Sequence, residues 1–113
     1  MLQAGRLRHQ VHLQTLGTPT RNDSGDTVEQ WETYAKPWVS IEPLRGRELF
    51  TAQAIDARMT HRVTLRYIPD VSPADRLLHG DRTLHILSVA NIDERDRMLQ
   101  LLCTANVQNG RTL

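Results

Sequence analysis

Between Pro37 and Tyr67 the apolar period of this chain changes twice, and no all-helical or uniformly stranded fold accommodates both changes. Val39 and Ile41 alternate with Ser40 and Glu42, the two-residue period of a half-buried strand. Pro43 and Gly46 then punctuate the chain. From Leu49 the spacing becomes three and four, with Leu49, Ala52, Ile55 and Met59 on one helical face. At Thr60 the period of two returns: Val63, Leu65 and Tyr67 point one way, and Arg62, Thr64 and Arg66 the other. The pattern predicts strand, turn, helix, strand, with the helix as either a cap on a small core or an arm for a partner.

The flanking chain predicts strands joined by turns. Leu7, Val11 and Leu13 share one parity of a first strand over about Leu7 to Leu16. A polar loop from Gly17 to Thr27 has turn chemistry at Asn22-Asp23-Ser24-Gly25. Val28 to Ala35 resumes as a second strand, broken by Lys36-Pro37. Ser72-Pro73-Ala74-Asp75 has helix-start residues but room for a single turn. Gly80-Asp81 suits a tight type II′ hairpin turn. Leu84, Ile86, Leu87 and Val89 are apolar on both parities, which predicts a central strand. Asn91 to Asp96 is a charged connector. Leu99, Leu101, Cys103, Ala105 and Val107 then form the longest alternating apolar face in the chain, and a frayed tail is expected over 108–113. The expected fold class is mainly β: a small antiparallel barrel or sandwich of six or seven strands, with one helix in a central excursion over 44–59. A chain of 113 residues is a single-domain length. With five aromatic residues in all, the core must lean on aliphatic side chains. Trp31 and Trp38 are expected as its anchors, with Ile41, Val63, Leu65, Ile86 and Leu101.

Chemistry is sparse in this pattern. Five histidines (His9, His12, His61, His79, His85) lack any His-x-x-x-His on the predicted helix, and the single Cys103 cannot complete a zinc knuckle, so no metal is expected. Cys103 falls on the apolar parity of a strand, where a buried, inert thiol is the common case. Ser40 has no Gly-x-Ser-x-Gly context, and no glycine loop is built to cradle phosphate. The carboxylates Asp93, Glu94 and Asp96 are explained by a solvated turn. No enzyme and no cofactor are expected. No apolar run approaches membrane-span length, nor does one of signal-peptide length follow Arg6, Arg8 and His9. Fourteen basic residues against thirteen acidic ones argue weakly against a non-specific nucleic-acid binder. The basic residues around the helix have two readings. Arg45, Arg47, Arg58, Arg62 and Arg66 are either ordinary surface charge paired with Glu42, Glu48 and Asp56, or a face turned toward a polyanion or an acidic partner.

Taken in order, the pieces resemble one family. They are Ala4-Gly5-Arg6-Leu7-Arg8-His9, Asp23-Ser24-Gly25, Trp31, Pro37-Trp38-Val39-Ser40-Ile41, Arg47-Glu48, Thr60-His61-Arg62-Val63-Thr64-Leu65-Arg66-Tyr67, Arg76-Leu77, Ile86-Leu87-Ser88-Val89 and Leu99-Gln100-Leu101-Leu102-Cys103. Each is weak alone; their joint order and spacing, from Ala4 to about Ala105, resembles the tailed-bacteriophage head-tail joining proteins, the head-closure or head-completion adaptors. Two features depart from that pattern. The Asp70-to-Arg82 segment is compact, and the sequence stops soon after the last predicted strand, so the C-terminal contacts of some members are not expected.

The resemblance implies a structural protein of the virion neck, made in the host bacterial cytoplasm. It implies a ring of copies, twelve by family resemblance although an isolated subunit can be a monomer, mounted on the portal or on a portal-borne adaptor. That ring would extend the DNA channel, help to retain packaged DNA and offer a surface to tail proteins, with no membrane involved. Under this reading the assembly or lumen surface is expected to include Arg45, Arg47, Glu48, Phe50, Gln53, Arg58, Arg62 and Arg66. The alternatives are a small nucleic-acid-binding barrel and a tail-side neck or tail-completion protein.

Overall fold

The computed structural model describes residues 7–106; the expected tail over 108–113 and the Ala4-Gly5-Arg6 piece lie outside the described residues. The elements follow one another as β1 (His9–Gln10), β2 (His12–Leu16), β3 (Thr20–Arg21), β4 (Thr27–Val28), β5 (Trp31–Ala35), β6 (Trp38–Pro43), α1 (Gly46–Ile55), β7 (His61–Arg66), β8 (Arg76–His79), β9 (Arg82–Asn91) and β10 (Met98–Asn106), with a 3-10 turn at Ile92–Glu94 between the last two. Eight strands form one antiparallel sheet in the order β1-β6-β7-β10-β9-β8-β2-β5, and β3 and β4 form a separate two-stranded ribbon. The mainly β class with one helix is therefore observed. The strand count exceeds the expected six or seven because the first strand is interrupted at Val11 and the polar loop carries its own ribbon.

That interruption shapes the molecule. β1 pairs with β6 through His9↔Val39, whereas β2 pairs with β8 through Leu13↔Leu77 and with β5 through Leu16↔Trp31. One run of chain thus touches both sides of the sheet, which is possible only if the sheet curls strongly into a barrel-like half-cylinder. At the break the Val11 N–H donates to the Pro37 carbonyl at 3.0 Å, so the kink in the first strand meets the Lys36-Pro37 kink between β5 and β6. Val11 itself is fully buried at this seam.

The core fills the concave side. Val63, Leu65, Leu101 and Ile86 are buried in it, joined by Leu13, Leu77, Leu84, Leu99 and Cys103. Ile41 is half-buried against the same cluster. The two tryptophans are not core anchors, which corrects the expectation. Trp38 is 55% exposed, because the period of two that turns Val39 inward turns Trp38 outward. Trp31 is half-buried on the edge strand β5, with the Arg76 guanidinium 4.1 Å above its ring. Small aliphatic side chains suit a tightly curled sheet, whose interior has no room for an indole from every strand.

β9 is apolar on both parities for a reason the sequence did not suggest. Opposite it, β10 keeps Leu99, Leu101 and Cys103 inward throughout. Its partners on β9 step from Val89 to Ile86 across a bulge at Leu102/Cys103, so the inward parity of β9 changes there. Leu87 is released to the convex side, where with Leu102 and Leu49 it packs against a second small cluster of Leu44, Ala52 and Met59. The hairpin from β8 to β9 turns at Gly80-Asp81, with Gly80 at φ +61 and Asp81 not at positive φ, as a type II′ turn requires.

Candidate assembly surface

The segment between β6 and β7 leaves the sheet and returns to it through a narrow base. The Leu44 N–H donates to the Thr60 carbonyl at 2.9 Å, and the Thr60 N–H donates to the Cys103 carbonyl at 2.9 Å. The Ala105 N–H donates to the Thr60 hydroxyl at 3.1 Å. Gly46, at φ +55, turns the chain into the helix. α1 spans Gly46–Ile55 rather than starting at Leu49 and reaching Met59, and the Asp56 N–H closes its last turn on the Ala52 carbonyl. The expected stripe survives in part: Ala52 is buried and Leu49 half-buried, and Met59 is buried beyond the helix end. Ile55 instead stands 77% exposed, and Phe50, on the far side of the helix, 80% exposed. A ten-residue helix that buries a single alanine is held by its base and a few leucines, not by a full apolar face.

Of the eight residues expected on this surface, the structure divides the charged ones. Arg62 reaches Glu48 on the helix and Glu42 on β6, the latter at 3.3 Å. Burial opposes the Arg62 charge, but Glu48 and then Glu42 outweigh it and raise the guanidinium pKa. Arg58 forks onto Asp56 at 2.8 Å and 3.1 Å, and this pairing holds the Asp56 carboxyl below its usual range. The ordinary reading of paired surface charge therefore holds for Arg58, Arg62, Glu48, Glu42 and Asp56. Gln53 donates to the Met59 carbonyl at 3.1 Å and so ties the helix to its own return loop. Arg66 ends β7 opposite Met98, about 17 Å of strand away from the base of the excursion. Arg45 and Arg47, both exposed at the start of α1, have no ion-pair partner among the described residues. Between α1 and the convex side of the sheet lies an open groove of about 550 Å³. Leu44, Ala52 and Leu102 give it an apolar floor, and the exposed Ile55 and Arg47 stand on its rim.

A second projection was not expected. Gly17 to Thr27, read from the sequence as a polar loop, is drawn out as a ribbon together with Val28 to Gln30, which were expected to open the second strand: β3 pairs with β4 through Thr20↔Val28, the Gly17 N–H donates to the Gln30 carbonyl, and β5 begins only at Trp31. The Asn22 Oδ1 accepts from the Ser24 and Asp26 N–H groups and shapes the tip. Every residue from Thr18 to Gln30 is exposed. The molecule extends 51 Å along its long axis against 29 and 23 Å across. The sequence signal for the ribbon is the set of β-branched residues Thr20, Thr27 and Val28 on either side of a turn.

Elsewhere the reactive side chains are committed. The Cys103 thiol is fully buried and burial pushes its pKa up to about 12. Tyr34 donates to the Asp75 Oδ2 at 2.6 Å, and that carboxylate also accepts from the Ser72 N–H. The His9 and His79 rings meet edge to face, 5.0 Å between centroids. Among the described residues no three His, Cys, Asp or Glu side chains come together as a metal site.

Comparison with known proteins adds a family-level match. The family model described as phage head completion protein matches residues 2–106. The head completion protein gp7 of Enterobacteria phage HK97 is 27% identical over 112 residues, covering 95% of this chain and 99% of that protein. The solution structure of protein SF1141 from Shigella flexneri 2a superposes with a TM-score of 0.72 at 28% identity, over 96% of this chain and all of that one. A chain in the virion of a native gene transfer agent particle shares the fold, with a TM-score of 0.55 at 16% identity over 88% of this chain and 96% of that chain.

Proposed function

The chain belongs to the phage head completion protein family, and from that premise we propose that it is a structural component of a virion that joins the head to the tail. It acts by shape and association, not by turnover of a small molecule. Copies of the chain form a ring at the neck, mounted on the portal or on an adaptor borne by it, and the ring continues the DNA channel toward the tail proteins. The observation that carries this reading is the helix α1, held at its base while Phe50 and Ile55 face outward. Phe50 on one side of this projecting helix, and Ile55 beside the groove on the other, offer apolar surface for a partner to cover. The near balance of charge suits a wall that DNA slides past, since a strongly cationic lining would grip phosphates.

The test is electron microscopy of particles assembled without this chain. DNA-leaking heads without tails are expected; tailed, DNA-filled particles would refute the joining role. A nucleic-acid-binding barrel would instead show salt-dependent binding of the isolated chain to short DNA.

A further inference from the structure

The two projections of this molecule leave it in opposite directions and carry opposite unpaired charge. β2 leads into the ribbon and β6 into the helical excursion. From β2 to β8, β9, β10, β7 and β6 every step is antiparallel, so β2 and β6 run in opposite senses and the projections depart from opposite ends of the curled sheet. On the ribbon Asp23, Asp26 and Glu29 outnumber Arg21, and none of these four has an ion-pair partner within 4 Å among the described residues. Glu29 does lie close enough to Arg76 to bear on its charge, which leaves Asp23 and Asp26 as the free acids of the tip. On the excursion every carboxylate is already held, Glu48 by Arg62 and Asp56 by Arg58, so the free charge is that of Arg45 and Arg47. The apolar parts match as well. Val28 is 37% exposed on the ribbon, and the groove under α1 offers Leu44, Ala52 and Leu102 with Arg47 on its rim.

We infer that the ribbon of one copy docks on the helix α1 face of the next, with Val28 over the groove and Asp23 and Asp26 against Arg45 and Arg47. The inference rests on the ring reading above and names its contact. Because the two surfaces are unlike and lie at opposite ends, the contact is head-to-tail, the kind that closes into a ring when the rotation per subunit permits. Charge complementarity sets the register, and like charges brought together there oppose assembly.

Charge reversal tests it in assembled particles. The pair Asp23→Arg with Asp26→Arg, and separately the pair Arg45→Glu with Arg47→Glu, should each reduce tail attachment at least about tenfold, and the fourfold variant should recover most of it. All four side chains are exposed and none makes a hydrogen bond among the described residues, so the fold is not at stake. As an independent measurement, Val28→Cys with Ile55→Cys should give a ladder of disulfide-linked multimers on oxidation, with Cys103 too buried to compete. Normal attachment by both single-surface variants, a fourfold variant no better than either, or no ladder from particles that contain the chain would overturn the contact and leave the virion role standing. Absence of the unmodified chain from particles would overturn both.

Discussion

Adjacent residues on β10 should report on different parts of the molecule, and comparing Leu101→Ala with Leu102→Ala tests the two-cluster packing directly. Leu101 is fully buried on the concave side, opposite Val63 on β7 and Val89 on β9. Its truncation removes three carbons from a site that cannot collapse, because strands hold it on both flanks. At about 0.8 kcal/mol per methylene plus a cavity contribution, the loss is about 3–4 kcal/mol, a large share of a small domain's stability. Leu102 points the other way, half-buried in the cluster that seats α1. The same three carbons there are partly wet already, so the loss is about 1–2 kcal/mol. It also falls on a different process, since those contacts hold the helix and not the sheet. Urea unfolding should show a large midpoint shift for Leu101→Ala and a small one for Leu102→Ala. Hydrogen exchange should show α1 amides opening about 5–30-fold more often in Leu102→Ala, with β7 and β9 amides little changed. Equal midpoint shifts, or unchanged α1 protection in Leu102→Ala, would refute the division into a barrel core and a separately seated helix.

Three further outcomes follow from single groups. Tyr34→Phe leaves the Asp75 carboxylate, 4% exposed, without its shortest donor and should cost about 1–3 kcal/mol by denaturant titration. Burial first, then the bond to Asp75, raises the Tyr34 pKa above its ordinary value of 10.0. The folded state therefore favours the neutral phenol; that stabilisation is complete below about pH 10, is lost as pH rises beyond it, and should be missing from the alkaline limb of Tyr34→Phe. His61, His79 and His85 all have pKa values lowered by burial, helped at His61 by Arg82, at His79 by His9 and then Arg82, and at His85 by Arg76. Each favours the neutral ring when folded, so stability should fall as pH drops below about 6.5, and His61→Gln, His79→Gln and His85→Gln should each flatten that slope; a slope unchanged in all three would refute this. Cys103, with its thiol pushed up to about 12 and no exposure, should resist a maleimide at pH 8 in the native state and react only at the rate of unfolding; fast labelling in buffer would place it at the surface.

Much of the fold was legible because it is written in local periodicity. The alternation of Val63 and Leu65, and of Leu99, Leu101 and Cys103, assigned strands and their buried faces, and the same alternation should have excluded Trp38, which sits one residue from Val39. Parity, not side-chain size, decides which side of a sheet a residue faces. The helix was legible as an element but not in its seating, because the spacing of Leu49, Ala52, Ile55 and Met59 cannot say how far the chain stays helical or how closely it lies against a sheet. The ribbon is not legible in the sequence, because its turn residues and its short strands share one polar composition.

The sequence alone determined that strands dominate, that one helix interrupts them, and where Gly80 turns a hairpin; each depends on residues a few positions apart. Only tertiary structure decided which arginines remain free. Arg62 is spoken for by Glu48 and Glu42, fourteen and twenty residues away, while Arg45 and Arg47 have no ion-pair partner among the described residues. It likewise decided that a bulge on β9 turns Leu87 outward and that the kinks at Val11 and Pro37 meet where the sheet curls. Charge pairing and strand register depend on neighbours brought together by folding, and the spacing of residues along the chain holds no record of them.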